Sequence, residues 1–359
     1  MKIAHVITEL GPGGAERVVL ELCKELKKNG HAPVIISLSP KPENSAIPAA
    51  LEKAGLETHY ANVSKKKPWT IFNLASILRK TNPDIVHAHL MHPSLATRLL
   101  KPFYRKPLVN TIHIADRRRR MWPWFMADRI TFPLCDICTA VSKAAAAFHE
   151  KSAGLTEGSI KVIYNGVDKV KPAPAEELEK LRRDWQIGSC SRVIGSIGRL
   201  DWQKGFDILF SMLPELSLLV PPGERWAIVI IGEGPERGLL EKLAADAPAN
   251  IEIKMPGFRA DASRVMALFD AFVMPSRYEG YGLALAEAMS LGLPVVTNEI
   301  DSLPELCDLY PNSQCVRFPS PDASAAIAAA LETPRGEPFE IMSVAKMTSE
   351  YQSIYSSLV

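Results

Sequence analysis

The sequence predicts an α/β protein with two doubly wound parallel-sheet domains. Short apolar runs that are typical of strands alternate with helical stretches along the whole chain, and Gly- or Pro-containing turns follow many of them. The 359 residues are enough for two domains that each bury a core. The composition of 47% hydrophobic and 23% charged residues is typical of a globular protein.

Charge is distributed unevenly along the chain. Met1 to Gly166 holds 24 Lys and Arg against 13 Asp and Glu, a net charge of +11, and the remainder holds 18 against 27, a net charge of −9. A Pro-, Ala- and Glu-rich stretch at 169–179 is typical of a linker that leads into a helix. We therefore expect an N-terminal domain at 1–168 and a C-terminal domain at 169–340.

The first strand of the N-terminal half leads into a glycine turn. Lys2–Ile7 is followed by Gly11-Pro12-Gly13-Gly14, and apolar residues then recur at helical spacing as far as Gly30. These glycines lack the spacing of the dinucleotide-binding fingerprint, so an ordinary tight turn and a ligand-binding turn both remain open. Further strands are predicted at Pro33–Leu38, Glu57–Ala61, Asp84–His89, Leu108–Ile112, Ile137–Val141 and Lys161–Tyr164.

Histidines lie at the ends of two of these strands. A metal site at His87, His89 and His92 is one interpretation, but no further ligand set follows nearby, so packing or hydrogen bonding is favoured. His113 directly follows Leu108–Ile112, at the end of a strand where ligands of parallel sheets bind. A structural role for His113 is the alternative.

Two basic segments of the N-terminal half contain aromatic residues. Arg117–Phe125 has four arginines and three aromatic rings, and Lys65–Trp69 repeats the pattern. Cations attract anionic lipid headgroups and Trp and Phe rings settle at the lipid interface, so our hypothesis is peripheral docking on the inner face of the cytoplasmic membrane. A solvated loop is the alternative. No nucleic-acid partner is expected, because no nucleic-acid-binding motif accompanies these segments.

Cysteine usage and the start of the chain predict a cytoplasmic protein. The six cysteines are scattered, and only Cys135 and Cys138 have a zinc-like or redox-like spacing, which no second pair completes. The first residues are typical of a strand rather than of a signal peptide. No apolar run reaches the roughly 20 residues that a membrane span needs.

The C-terminal half repeats the alternation of strands and helices. Arg199 and Lys204 follow its first strand, and Phe258 and Arg259 follow its third. The last stretch, Ile341–Leu358, is predicted to be a helix. The strands are expected at Arg192–Gly198, Ala227–Ile231, Ile251–Ile253, Ala271–Met274 and Val295–Thr297.

The stretch Met274–Val296 has the pattern strand, turn, helix, strand. Its Gly280–Gly282 turn would lie at the carboxyl end of a strand, where the first amides of a helix beginning at Leu283 bind anions. Glu279 and Glu287, eight positions apart, place carboxylates on either side of such an anion, and carboxylates bind hydroxyl groups. This arrangement suggests a nucleotide sugar. A solvated turn glutamate and a structural helix glutamate are the alternative.

These motifs resemble the signatures of the retaining GT-B glycosyltransferases of family 4. The resemblance rests on Glu279-Gly280-Tyr281-Gly282-Leu283 with Glu287, on Gly198-Arg199-Leu200 with Lys204-Gly205, and on Asn165-Gly166-Val167-Asp168. It implies two facing Rossmann-like domains with a cleft between them. The nucleotide would bind mainly to the C-terminal domain and the acceptor to the N-terminal domain, on which the C-terminal helix, 341–359, would pack.

Two positions depart from the family pattern. Ala284 stands where a proline is frequent, and Asn298–Ser302 stands where the family often has paired glycines. We expect the first change to alter only the stiffness of the loop. The second affects how the loop approaches the phosphates.

The resemblance also implies roles for single residues. Glu279 would face the transferred sugar with His113 beside it, and Glu287 would hold the ribose. Arg199 and Lys204 would grip the diphosphate and replace a metal ion, so no metal or other cofactor is expected. Further contacts are implied for Gly13 and Gly14 with the sugar and diphosphate, for Gly282 and Leu283 with the diphosphate, and for Phe258 and Arg259 with the nucleobase.

The expected activity is therefore a metal-independent, retaining transfer of a hexose. The donor would be a nucleotide-diphosphate sugar, with a UDP-sugar favoured over a GDP-sugar, and the acceptor an envelope polysaccharide or a lipid-linked glycan. A nucleotide-sugar epimerase or hydrolase would consume the donor without an acceptor. A non-catalytic sugar-binding scaffold need not keep Arg199, Lys204, Glu279 and Glu287 together.

Overall fold

The computed structural model describes residues 1–43, 45–64, 66–113 and 122–359. Two compact units contain them: unit 1 is Met1–Gly166 with Met342–Val359, and unit 2 is Val167–Ile341. Lys65 and Arg117–Arg120, which belong to the two basic segments, lie outside the described residues.

Unit 1 alternates strands and helices along the chain. Its elements in order are β1 (Lys2–Ile7), α1 (Gly14–Lys28), β2 (Ala32–Ser37), α2 (Ala46–Lys53), β3 (Glu57–Tyr60), α3 (Phe72–Thr81), β4 (Ile85–His89), α4 (Met91–Tyr104), β5 (Leu108–Ile112), α5 (Trp122–Thr131), β6 (Ile137–Ala140), α6 (Lys143–Ala153) and β7 (Lys161–Val162). In the described part of the chain the seven strands form one sheet in the order β3-β2-β1-β4-β5-β6-β7. The paired strands are parallel.

The central strands of this sheet are buried on both faces. Every residue of β1 from Ile3 to Ile7 is fully buried, because side chains alternate between two helix-covered faces. These strands also contain buried polar residues, which are His5, His87, His89, Asn110 and Thr111. Buried polar groups are stable only when hydrogen-bonded, so this sheet must contain its own polar network.

Unit 2 repeats the architecture around a second parallel sheet. Its elements in order are α7 (Ala175–Asp184), β8 (Arg192–Ile197), α8 (Phe206–Ser211), α9 (Leu213–Leu219), β9 (Trp226–Ile231), α10 (Arg237–Ala245), β10 (Ile251–Gly257), α11 (Ala262–Val265), β11 (Ala271–Met274), α12 (Leu283–Ser290), β12 (Val295–Asn298), α13 (Leu303–Cys307), β13 (Ser313–Val316) and α14 (Pro321–Glu332). The strands follow the order β10-β9-β8-β11-β12-β13. The prediction of two parallel α/β sheets is confirmed.

The final helix of the chain, α15 (Val344–Ser356), belongs to unit 1 and confirms the predicted C-terminal helix. It packs against α1. Tyr351 and Tyr355, one helical turn apart, are both buried on the side that faces the sheet. The Tyr355 hydroxyl lies 2.7 Å from His87 Nδ1, and the Tyr351 hydroxyl lies 3.2 Å from Thr111 Oγ1.

Two strands of unit 2 differ from the sequence prediction. The strand predicted at Ile251–Ile253 continues through Pro256 to Gly257. Proline is tolerated there because β10 is an edge strand with a register shift between Lys254 and Gly257. The edge strand β13 was not predicted, because Ser313–Val316 is half-buried and mixed in polarity.

One residue of the predicted docking segment Arg117–Phe125 is in the core. Phe125 is buried in unit 1, with ring centroids 6.0 Å from Phe148 and 5.4 Å from His149. The expectation that Phe125 contacts lipid is therefore wrong, because α5 turns this side chain inward. Trp122 and Trp124 are exposed.

The six cysteines of the chain are free thiols. Cys135 Sγ lies 3.0 Å from the carbonyl oxygen of Ile137.

Within the described residues, no helix combines the length and the apolar character needed to cross a membrane.

Glycine allows two loops of unit 2 to touch along their backbones. A Cβ at Gly234 would lie 2.2 Å from the carbonyl oxygen of Leu200, whereas a Cβ at Gly238 would meet open space. Two backbone hydrogen bonds of 3.0 Å hold the same contact, from Leu200 N to Glu233 O and from Glu236 N to Leu200 O. The loop that follows β8 is therefore fixed by the loop that follows β9.

We predict that Gly234→Ala lowers the free energy of unfolding by about 1–3 kcal/mol, because the new methyl group forces the two backbones apart. Gly238→Ala is the matched control and should be neutral or stabilising by up to about 1 kcal/mol, because Gly238 is helical and unobstructed. Urea unfolding of both variants measures the difference. Equal stability of the two variants would contradict the close contact.

Candidate functional site

Two loops of unit 2 converge on one salt bridge. Lys204 Nζ lies 2.5 Å from Glu279 Oε1, although the residues are 75 positions apart. Their loops follow β8 and β11, which are neighbouring parallel strands and therefore end at the same edge of the sheet. The two sequence motifs thus form one site.

The Glu279 side chain is buried and held by a second hydrogen bond. It is only 7% exposed, and the Ser276 hydroxyl donates to the same oxygen, Oε1, at 2.9 Å. Both contacts use Oε1, and neither uses Oε2. The second carboxylate oxygen is therefore the one suited to a ligand hydroxyl.

The backbone of the turn is fixed by the loop after β12. The amide of Glu279 donates to Asp301 Oδ2 at 3.0 Å, and Asn298 Nδ2 donates to the carbonyl of Ser276 at 2.9 Å. Asp301 adopts a left-handed conformation with φ of 46°. In the segment where the resembled family often has paired glycines, this chain uses a carboxylate that caps the turn.

Close backbone packing also orients Lys204. This residue ends a short 3₁₀ turn, Trp202–Lys204, and its methylene groups lie 3.2 to 3.3 Å from the position of a Cβ at Gly198. Gly205 has φ of +66°, and a Cβ there would lie 2.2 Å from the carbonyl oxygen of Pro275. Only glycine fits at this junction, which holds the Lys204 loop against the Glu279 loop.

Helix α12 begins directly after the turn. Gly282 precedes it with φ of 92°, a conformation that residues with a Cβ rarely adopt. The first amides of the helix, from Leu283 onward, have no partner within the helix and are suited to an anion. Glu287 is buried on the same helix.

Arg199 and Arg259, two other predicted residues of unit 2, form ion pairs with residues outside this salt bridge. Arg199 is 68% exposed, and its ion pair is with Asp201 at 3.8 Å. Phe258 is exposed directly after β10. Arg259 forms two hydrogen bonds to Asp261, of 3.0 and 2.8 Å, and its guanidinium lies 6.0 Å from the ring centroid of Trp185.

In unit 1 a carboxylate that the sequence analysis missed lies against the glycine turn. Gly13 and Gly14 lead into α1, and Glu16 Oε2 lies only 2.1 Å from the position of a Cβ at Gly13. Burial raises the pKa of the Glu16 carboxyl to about 7, a backbone hydrogen bond opposes this shift, and the Glu9 carboxylate adds to it. The available signal was an acidic residue in the first turn of a helix that follows a glycine turn.

His113 is half-buried and belongs to a cluster with three buried histidines, His5, His87 and His89. His89 Nδ1 lies 3.0 Å from His113 Nε2, and His89 Nε2 lies 3.1 Å from His5 Nδ1. His87 bonds instead to Tyr355 and, at 2.6 Å, to Thr111 Oγ1. The predicted hydrogen-bonding role of His87 and His89 is confirmed, whereas His92 contacts the Trp124 ring at 4.8 Å.

Burial keeps the histidines of this cluster neutral. It lowers the pKa of His5 to about 3 and that of His113 to about 4. The pKa values of His87 and His89 lie well below the ordinary value, first because of burial and then because of the neighbouring histidines. Ring nitrogens of His5, His87 and His89 lie within 4.8 Å of one another, which is close enough for a metal ion. The sequence analysis missed His5, because only the register between β1 and β4 pairs it with His87.

Comparisons with known proteins identify the family of this chain. Residues 12–171 match the family model for Glycosyltransferase Family 4, and residues 178–342 match that for Glycosyl transferases group 1. An uncharacterized glycosyltransferase of Methanocaldococcus jannaschii is 26% identical over 346 residues, which cover 90% of this chain and 87% of that protein. A UDP-Gal:alpha-D-GlcNAc-diphosphoundecaprenol alpha-1,3-galactosyltransferase of Escherichia coli is 27% identical over 335 residues, with coverage of 84% and 80%.

A solved structure shows the same fold. The crystal structure of Anabaena HepE in complex with UDP-glucose has a TM-score of 0.78 at 21% identity, and the match covers 100% of this chain and 95% of that chain. This likeness, together with the two parallel sheets, identifies a GT-B fold. Because the two family matches leave only residues 172–177 between them, the chain belongs to the family 4 glycosyltransferases and is a hexosyltransferase of group 1.

Proposed function

We propose that this enzyme transfers a sugar from a UDP-sugar to a lipid-linked glycan or an envelope polysaccharide, with retention of configuration and without a metal ion. The contact between Lys204 and Glu279 is the observation that supports the proposal most strongly. It places a cation suited to phosphate next to a carboxylate suited to sugar hydroxyls.

The proposed catalysis is mainly electrostatic. When the bond between the anomeric carbon and the diphosphate breaks, negative charge develops on the diphosphate and positive character on the sugar. Lys204, Arg199 and the helix start at Gly282 and Leu283 would stabilise the negative charge, and donors fixed in advance are effective in this role. Two cations and a helix end provide the stabilisation that a metal ion would otherwise supply.

Glu279 would orient the transferred sugar through Oε2, and its negative charge would stabilise the positive character that develops on the sugar. We further propose that Glu287 binds the ribose, that Phe258 and Arg259 lie against the nucleobase, and that His113, Gly13 and Gly14 contact the sugar and the diphosphate. The exposed ring of Phe258 supports stacking on a base.

The leaving diphosphate would act as the base. The acceptor oxygen forms the new bond to the anomeric carbon as the bond to the diphosphate breaks, and the hydroxyl proton passes to a phosphate oxygen. Attack from the same face as the leaving group retains the configuration.

The proposed donor, a UDP-sugar, is based on the UDP-glucose bound by HepE and on the UDP-Gal in the name of the Escherichia coli relative.

An exposed apolar surface on unit 1 supports a lipid-linked acceptor. Leu99 and Phe103, one turn apart on α4, are 58% and 53% exposed, and the Phe103 ring packs edge-on against exposed Phe72 at 5.5 Å. Helix α4 packs between α3 and α5, on which Ile130 is 75% exposed. Exposed Trp69 and two exposed lysines, Lys66 and Lys67, precede α3. We propose that this surface, with Arg117–Arg120, docks on the inner face of the cytoplasmic membrane.

We predict that Glu279→Gln lowers kcat of sugar transfer by about 100-fold or more, because it removes the charge that steadies the developing cation. The UDP affinity of this variant should change little, since the proposed diphosphate contacts remain. An assay with a UDP-sugar and an isolated membrane acceptor measures both values.

Glu176→Gln is the matched control, because Glu176 is exposed on α7. It should leave kcat unchanged, and excess EDTA should leave the wild-type rate unchanged as well. Near-normal transfer by Glu279→Gln would refute the role of this carboxylate, and loss of activity in EDTA would refute metal independence. Donor consumption without an acceptor would indicate a hydrolase or epimerase instead.

We predict that the full chain floats with vesicles that contain anionic phosphatidylglycerol and not with neutral vesicles. Replacing Phe72 and Phe103 together by Ser should weaken this binding several-fold, because two apolar side chains no longer enter the interface. Replacing Arg117–Arg120 by Ser should weaken it by about 1 kcal/mol per residue near the surface.

The control for flotation is Leu218→Ser, which removes a side chain that is 85% exposed on unit 2. It should bind like the wild type. Undiminished flotation of both unit 1 variants would rule out the proposed docking surface.

A further inference from the structure

A chain of hydrogen bonds crosses the sheet of unit 1 and ends at His113. His5 lies in β1, His89 ends β4, and His113 directly follows β5. These three strands are neighbours in the sheet. The bonds run from His5 Nδ1 to His89 Nε2, 3.1 Å, and from His89 Nδ1 to His113 Nε2, 3.0 Å.

Each neutral imidazole has one N–H and one bare nitrogen, so the bonds in this chain must all point the same way. If His5 donates to His89, then His89 donates to His113, and the proton of His113 is on Nδ1. If His113 donates to His89, then His89 donates to His5, and the proton of His5 is on Nε2. The geometry of nitrogen atoms alone allows both directions.

The environment of His5 selects between the two directions. His5 Nε2 is buried and has no hydrogen-bond partner among the described residues. In the second direction this atom would be an N–H donor without an acceptor, and in the first it is only an unused lone pair. Buried donors without partners are rarer in proteins than under-used acceptors. The first direction is therefore the more stable one.

We propose that His5 and His89 fix His113 as the tautomer protonated on Nδ1, so that His113 donates a hydrogen bond to a sugar or acceptor oxygen and does not act as a base. This inference rests on the proposed function for the identity of that oxygen. His5 and His89 are positioning residues, because they act through His113.

The hydrogen bonds of His87 leave His89 free to bond to His5 and His113. The His87 nitrogens bond to Tyr355 and Thr111, so His87 does not compete for His89. A metal ion held by His5, His87 and His89 would have to replace hydrogen bonds that already use both nitrogens of His87 and of His89. The cluster is therefore better suited to orienting His113 than to binding a cation.

The tautomer has a chemical consequence. With Nε2 accepting from His89 and Nδ1 protonated, His113 has no lone pair for the proton of the attacking hydroxyl. Burial also lowers the pKa of His113 to about 4, so at neutral pH it carries one ring proton. The acceptor proton must go elsewhere, which agrees with proton transfer to the leaving diphosphate.

The test is nitrogen NMR of the full chain labelled with ¹⁵N-histidine at neutral pH, because protonated and bare ring nitrogens have different chemical shifts. The signals are assigned by the His113→Phe and His5→Phe variants. We expect His113 to be protonated on Nδ1 and bare on Nε2. A proton on Nε2 of His113, or a doubly protonated ring, would overturn the inference.

Two variants of His89 give a matched pair. An Asn side chain places its amide where His89 has Nδ1 and can still donate to His113, whereas a Gln side chain places its amide near the position of Nε2. We expect His89→Asn to keep the Nδ1-protonated signal of His113, and His89→Gln to lose it and to show a kcat about tenfold lower than His89→Asn. The same His113 spectrum in both variants would contradict the positioning role of His89.

The two claims fail in different ways. If the NMR result is as expected but His113→Phe transfers sugar normally, the role of His113 in the proposed function is wrong and the tautomer assignment stands. If His113 is protonated on Nε2, the tautomer inference is wrong. The proposed glycosyltransferase function is not contradicted by that result. UDP binding and thermal melting of each variant establish that it is folded.

Discussion

The salt bridge between Lys204 and Glu279 is the interaction on which the candidate site depends. Two strand-end loops that are distant in sequence meet there. Gly205 allows their backbones to approach closely, because a Cβ at this position would lie 2.2 Å from the carbonyl oxygen of Pro275. A buried carboxylate needs a partner, and Lys204 supplies one. We propose that the same lysine also binds the diphosphate. Lys204 would then both stabilise the buried Glu279 and take part in the proposed chemistry.

In unit 1 the main constraint is that polar side chains are buried within a parallel sheet. Helices cover both faces of its central strands, so His5, His87 and His89 cannot reach bulk water and must bond to one another and to α15. His89 connects these bonds to His113 at the strand end, and we propose that they fix its tautomer. The C-terminal helix takes part, since Tyr355 satisfies His87.

Local patterns in the sequence were sufficient for most of the fold, and they placed Lys204 and Glu279 on loops at the carboxyl ends of strands. The salt bridge between the two residues was not predicted, because it depends on β8 and β11 being neighbours in the sheet. Strand-like runs such as Leu108–Ile112 and the glycine turn before Leu283 depend on neighbouring residues, which periodicity reports directly. His5, Glu16 and Asp301 were missed, because their importance depends on sheet register or loop contacts. Phe125 was misjudged for the same reason, since the direction of a helix face is set by packing.

The central claim is that Lys204 binds the diphosphate of the donor. Isothermal calorimetry with UDP and with uridine, on the wild type and on Lys204→Met, tests it most directly. The account predicts that the substitution weakens UDP binding by about tenfold or more, in keeping with the loss of a charged hydrogen bond, and leaves uridine binding unchanged. Equal affinity of both proteins for UDP, or an equal loss for UDP and uridine, would contradict it.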